Sequence, residues 1–172
     1  MVGIDFSQFS KDMQTIVRNL EAIGHDVNAR DLAKMQTKAL NITKDAMKNN
    51  ITDLAGGKTF KVYRRGGLYA EIKPGQLKKS IGIMTSRVSN RKLFSSKFVG
   101  PKVKGVFNDP ERGGWFAHFM NYGYLLTSSG LYDGKNKGFA DKAKASTYNR
   151  VILSFRNDAN SYVNKIIKSK GL

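Results

Sequence analysis

The chain has 172 residues, with 30 Lys and Arg against 13 Asp and Glu, giving a formal charge of +17. It has no Cys and two His, His25 and His118. That excludes disulfides, thiolate metal sites, a cysteine nucleophile and a multi-His metal centre within one chain. No apolar run approaches the roughly 18 residues of a membrane span. The first 14 residues alternate apolar and charged side chains, unlike a signal peptide. The expectation is a soluble protein folded inside a cell, one domain over 1–172, with no cofactor and no membrane partner.

The charge is uneven. Residues 1–55 balance seven basic against seven acidic side chains. Residues 56–104 carry thirteen basic residues and Glu71 alone, and 105–172 carry ten against five. A central segment this basic must face solvent, a polyanion or an acidic neighbour.

In chain order, residues 5–23 place Phe6, Phe9, Met13, Ile16, Val17, Leu20 and Ile23 at helical steps, and Gly24 is a stop. A second helix should start with Asn28 as N-cap and Asp31 in its first turn. Its apolar stripe is Leu32, Met35, Ala39, Ile42 and Ala46 with Met47, ending near Asn50. Residues 56–74 read as a basic loop or hairpin: Phe60, Val62 and Tyr63 begin a strand, and Arg64-Arg65-Gly66-Gly67 forms an exposed tip. Pro74-Gly75 is a turn. A short helical cap or turn follows from Gln76, then a strand through Ile81, Ile83 and Thr85. Residues 89–96 are a polar, basic turn. A strand covers 98–107, with Pro101 at an edge or bulge. Residues 115–124, the densest aromatic stretch, read as a strand of six to eight residues. Residues 127–138, with Ser128-Ser129-Gly130, Asp133-Gly134 and Gly138, read as a flexible loop. From about 140 to 169, Tyr148, Val151, Ile152, Phe155, Ala159, Tyr162, Val163, Ile166 and Ile167 define a long amphipathic helix. The predicted architecture is α+β: two N-terminal helices, a small antiparallel sheet, and a long C-terminal helix packed on one sheet face.

A search for catalytic chemistry returns little. His118 is the only plausible general base, and its setting, Phe116-Ala117-His118-Phe119, reads as a structural or interface position. Asp109 and Glu111 flank Pro110 as turn residues, and no phosphate-binding or dinucleotide-binding glycine pattern occurs. The aromatic cluster Trp115, Phe116, Phe119, Tyr122 and Tyr124 fits two descriptions. It is a stacking platform for bases, or half core and half subunit interface.

Four landmarks then fall in a recognisable order. Gln76-Leu77-Lys78-Lys79-Ser80-Ile81 is similar to Thr-Gly-x-Leu-x-x-Ser-Ile, and Phe98-Val99-Gly100-Pro101 to a Val-x-Val-Gly-Pro strand. The run from Trp115 to Tyr124 resembles Tyr-Ala-x-x-x-Glu-[Phe/Tyr]-Gly-Thr, and the run from Asn136 to Ala143 resembles a Pro-Phe-x-x-Pro-Ala lead into a final helix. Together they resemble the tail-completion and head–tail joining (neck) proteins of long-tailed phages, relatives of the lambda minor tail protein Z and the widespread "tail component" family. Asn121 stands where that pattern has glutamate, Tyr124 where it has threonine, and Gly138 where it has proline. The basic stretch 58–73 looks like an insertion.

The resemblance implies a structural virion protein rather than an enzyme. It implies a homo-oligomeric ring, commonly a hexamer, in the neck or tail, made in the host bacterial cytoplasm, through which DNA passes. Its partners would be neighbouring neck or tail proteins. Trp115, Phe116, Phe119, Tyr122 and Tyr124 are the candidate interface. Lys58, Lys61, Arg64, Arg65, Lys78, Lys79, Arg91 and Lys92 are candidates to face DNA in the lumen or an acidic partner. The alternative is a sequence-independent nucleic-acid-binding protein using 56–104. A small nuclease built on His118 is a third reading.

Overall fold

The computed structural model describes residues 15, 18, 29–52, 59–64, 67–85, 97–102, 114, 116–122, 126–127, 130–131 and 136–169. Of the expected first helix, Thr15 and Arg18 are helical and exposed. The rest of that helix lies outside the described residues, as does the Asn28 cap. The first fully described element is α1 (Ala29–Asn49), with Asp31 in its first turn and Lys48 in its last, each sign suited to its end of the helix dipole. Leu32, Gln36, Ala39, Leu40, Thr43 and Met47 are buried, at the steps of three and four that put them on one side. The helix closes tightly: Asn50 N donates to Ala46 O at 2.9 Å and Ile51 N to Lys48 O at 3.3 Å.

Strands β1 (Phe60–Arg64) and β2 (Gly67–Ile72) form an antiparallel hairpin, from Phe60↔Ile72 to Arg64↔Gly67, with a register shift between Val62 and Tyr63. This is the basic hairpin expected over 56–74. Two short strands extend the sheet, β5 (Leu126–Thr127) beside β1 and β6 (Gly130–Leu131) beyond it, in the order β2-β1-β5-β6. Of the flexible loop expected over 127–138, the described residues are Thr127 in β5, Gly130–Leu131 in β6, and a turn over 136–138 whose Asn136 is buried. Loop-forming residues supply hairpins and turns as readily as loops, and pairing with β1 decides between them.

Helix α2 (Gln76–Ser80) starts at Gly75, whose φ of +71° is a left-handed conformation that glycine adopts without strain. The Gln76 side chain accepts a bond from Lys73 N at 2.9 Å, closing the Pro74-Gly75 turn. Strand β3 (Ile81–Thr85) follows directly and pairs antiparallel with β4 (Lys97–Pro101), from Ile81↔Pro101 to Thr85↔Lys97. Pro101 occupies the last position of its strand, where a missing N–H costs least.

The aromatic stretch is not a strand. Residues Ala117–Tyr122 form a short helix, α3. Phe116, Ala117, Met120 and Asn121 are buried, while His118, Phe119 and Tyr122 are exposed. That is a helical division; a strand would have alternated one by one. Aromatic composition favours strands only weakly and yields to packing.

The longest element is α4 (Phe139–Ser169), 31 residues and about 46 Å at 1.5 Å per residue. It runs antiparallel to α1. Asn50 Nδ2 reaches Phe139 O, Thr43 meets Thr147 at 2.8 Å, and Lys38 pairs with Asp158 at 2.6 Å, so numbers fall along one helix as they rise along the other. Ala39 and Ala143, both wholly buried, let the backbones approach. Helix α4 makes its main contact with α1, and α1 lies on β3 and β4. The fold is therefore α+β, a helix pair layered on an antiparallel β pair. Val99, Ile81, Phe116, Met120, Val151 and Phe155 belong to one core.

One close approach locks the corner between β4 and α3. Lys102 N donates to Ser80 O at 2.8 Å and Gly114 N to Lys102 O at 3.0 Å. A Cβ on Gly114 would fall inside contact distance of the Ser80 side chain and Pro101 Cβ. A Cβ on Gly82 would meet only the flexible end of the Lys102 side chain. Gly114→Ala is expected to lower unfolding free energy by roughly 1–3 kcal/mol, as overpacking does, with Gly82→Ala well below that. Urea denaturation of the two variants checks the contrast.

Candidate functional site

The site is built around the N-terminus of α4. A helix start leaves backbone N–H groups without intrahelical acceptors. Gly138 is the residue before the helix, and its φ of +69° turns the chain sharply. Having no side chain, it cannot cap. Asn121, at the end of α3, does so across space: its Oδ1 accepts from Ala140 N at 3.2 Å and its backbone O from Gly138 N at 2.9 Å. Its Nδ2 lies 3.4 Å from Asp141 Oδ2. A second buried amide, Asn136, faces the end of α1. Its Oδ1 accepts from Thr52 N at 2.8 Å and Thr52 Oγ1 at 3.1 Å, and its Nδ2 donates to Thr52 O at 3.1 Å. Both amides are almost fully buried, so each missing bond would leave an unpaired polar group in low dielectric.

These bonds fix the outer side of α3. Phe119 and Tyr122, three residues apart, are 38% and 46% exposed, and His118 lies beside them with ring centroids 5.8 and 4.9 Å away in edge-on geometry. Of the five aromatic candidates, these two are on the surface. Phe116 is not, since it is wholly buried in the chain's own core. Its expected interface role is corrected to a packing role: it immediately precedes α3, on the inner side. Trp115 and Tyr124 lie outside the described residues.

The basic candidates divide similarly. Lys78 and Lys79 are exposed on α2, and Lys102 is exposed close by, its backbone bonded to Ser80. Lys61 shares its charge with Glu71 at 3.9 Å across the β1–β2 pair. Arg64 is placed in β1 next to the hairpin tip. Lys58, Arg65, Arg91 and Lys92 lie outside the described residues, as do His25, Asp109 and Glu111. Among the described residues, no group of three or more His, Cys, Asp or Glu gathers as a metal site, and no helix is long and apolar enough to cross a membrane.

Lys97 was not singled out in the sequence, yet it ties β4 to α1. Its Nζ donates to Ala33 O at 2.9 Å and Thr37 Oγ1 at 2.6 Å. Burial pushes its ammonium below the usual lysine range. Nothing in a lone Lys between two serines and a phenylalanine signals such a position. In the sequence, Asn121 and Asn136 have places in the landmarks only; nothing local marks Asn121 as the cap of α4 or Asn136 as the partner of Thr52.

No family model, curated protein or solved structure matches this chain.

Two predictions test the junction. Asn136→Ala and Asn121→Ala should each lower stability by roughly 1–3 kcal/mol, the cost of orphaned buried groups and a lost cap, read by urea denaturation. Lys97 makes the second. Between its lowered folded value and its ordinary unfolded value, the unfolded chain binds more protons, so this residue's contribution makes stability rise with pH through that window. The stability difference between wild type and Lys97→Met should therefore grow in favour of wild type from neutral pH towards pH ~10. Paired thermal melts measure it, and a flat difference would mean an ordinary lysine.

Proposed function

We propose that the protein is a structural component of the neck or tail of a long-tailed phage, a tail-completion or head–tail joining subunit that assembles into a ring around passing DNA. The observation that carries the proposal is the spatial arrangement of the four landmarks. Each one touches the next. The 76–81 segment pairs with 98–101 through Ile81↔Pro101 and Gly82↔Gly100. Pro101 and Ser80 enclose Gly114, whose O accepts from Ala117 N at 3.0 Å at the start of α3. The end of α3 caps the helix that the fourth landmark begins. Segments spread over nearly seventy residues make one continuous corner, so the four landmarks serve one structural unit.

One departure from the pattern fits this reading. Asn121 stands in the glutamate position and bonds to N–H groups at a helix start, where a carboxylate would also be favoured. Here Asp141 already supplies the negative charge, 3.4 Å away, and a neutral amide avoids carboxylate repulsion. Gly138 stands where the pattern has proline, and its φ of +69° and its N–H bond to Asn121 O are both closed to a proline, so the turn into α4 is built differently here.

Charge and surface support the assembly and DNA elements of the reading. A ring of +17 subunits concentrates positive potential, and solvated Lys and Arg hold phosphates without reading sequence. Phe119 and Tyr122 give the monomer an exposed aromatic pair suited to burial against a neighbour.

Light scattering after size separation tests the proposal. A ring-sized species that persists in high salt is expected, because an aromatic contact is not screened. Phe119→Asp with Tyr122→Asp should return it to a monomer with unchanged circular dichroism. A wild-type monomer at all concentrations, together with absence from purified virions, would overturn the reading.

A further inference from the structure

We propose that the outer stripe of α4 is a binding surface for the phosphate backbone of duplex DNA, separate from the basic segment 56–104. The stripe runs from residue 142 to residue 168 at steps of three and four, and its members are exposed. Its cations are Lys142, Arg150, Arg156 and Lys168. Between them stand four amides, Asn149, Asn157, Asn160 and Asn164. The stripe contains no acidic residue. The two acids of α4 lie off it and are engaged elsewhere, Asp141 with Asn121 and Asp158 with Lys38 at 2.6 Å.

Two features point to DNA rather than to another protein. Exposed helix positions that bind nothing are best filled by Ala, Glu, Lys, Gln or Arg. Asparagine is a poorer helix former, yet it occurs here four times and glutamate not at all. Amides and cations are the groups that hold phosphate and sugar oxygens, whereas carboxylates repel them. The second feature is the scarcity of apolar surface: Leu153 is the one large apolar side chain on the stripe. A protein-docking face would centre on an aromatic or aliphatic cluster. The stripe is about 39 Å long at 1.5 Å per residue, slightly more than one turn of B-DNA, about 34 Å. Within a ring, this face would line the lumen; that placement rests on the neck reading, but DNA binding by the isolated chain does not.

The test is fluorescence anisotropy with the full chain and a labelled duplex of mixed sequence, at several salt concentrations. Asn157→Asp with Asn160→Asp keeps side-chain shape and changes the charge by two. At least a tenfold loss of affinity is expected. Lys34→Glu, on the exposed side of α1, changes the charge by the same amount and should stay within twofold. Lys142→Ala with Arg150→Ala and Lys168→Ala should reduce the salt slope by about 2.7, at ~0.9 per phosphate. Leu153→Ala should leave affinity within twofold. Circular dichroism confirms that each variant is folded. Equal losses for the Asn pair and Lys34→Glu would overturn the proposal. So would a tenfold loss for Leu153→Ala, no wild-type binding at low salt, or loss confined to Lys78→Ala with Lys79→Ala. Ring formation is read separately by light scattering, so failure of the neck reading leaves this result interpretable.

Discussion

Two buried asparagines tie the fold together at the point where α1, α3 and α4 meet. Asn121 closes the start of α4 from the end of α3, and Asn136, in the turn before α4, holds Thr52, three residues past the end of α1. A buried amide is costly unless its donors and acceptors are satisfied, and satisfied it permits few geometries. The entry angle of a 31-residue helix is thereby set by a few hydrogen bonds at its first turn. Its antiparallel course along α1 follows, including the Thr43–Thr147 bond in the middle of the pair and the Lys38–Asp158 pair further along.

The same junction divides the surfaces. Burying Phe116, Met120 and Asn121 on the inner side of α3 leaves Phe119 and Tyr122 outside. Packing Ala143, Thr147, Val151, Phe155 and Ala159 inward leaves the amide and cation stripe of α4 in solvent. Meanwhile β3 and β4 sit beneath α1, with Lys97 spanning the layers, so α2 and its exposed lysines project from the corner. The aromatic pair, the α2 corner and the α4 stripe are thus carried by different elements. The proposed roles in neighbour contact and DNA binding need such separation, because apolar burial and phosphate binding make opposite demands on one patch.

Much of this was legible in the chain. The second helix, the basic hairpin, the Pro74-Gly75 turn, the 81–85 strand and the long final helix each follow from apolar spacing and turn residues. The aromatic stretch did not. Over six residues, strand and helix periods differ by only one or two positions, and Phe, Tyr and Trp favour strands on average. The core's demand for Phe116, Ala117, Met120 and Asn121 together on one side chose the helix, because a strand would have put His118 and Tyr122 on the face of Phe116 and Met120. The short β5–β6 pairing was not legible for a related reason: glycine and serine permit many backbone paths, and partners distant in sequence select among them.

By itself the sequence determined the α+β class, the two long helices and the concentration of positive charge, because these depend on local periodicity and composition. It also ordered four landmarks that resemble phage neck proteins. Only the tertiary structure decided that those landmarks touch in succession, that Asn121 caps α4 and Asn136 holds Thr52, that Lys97 is sheltered, and that Phe116 is core while Phe119 and Tyr122 are surface. Those properties depend on contacts between residues 19 to 84 positions apart, and no local pattern encodes which distant group a side chain will meet.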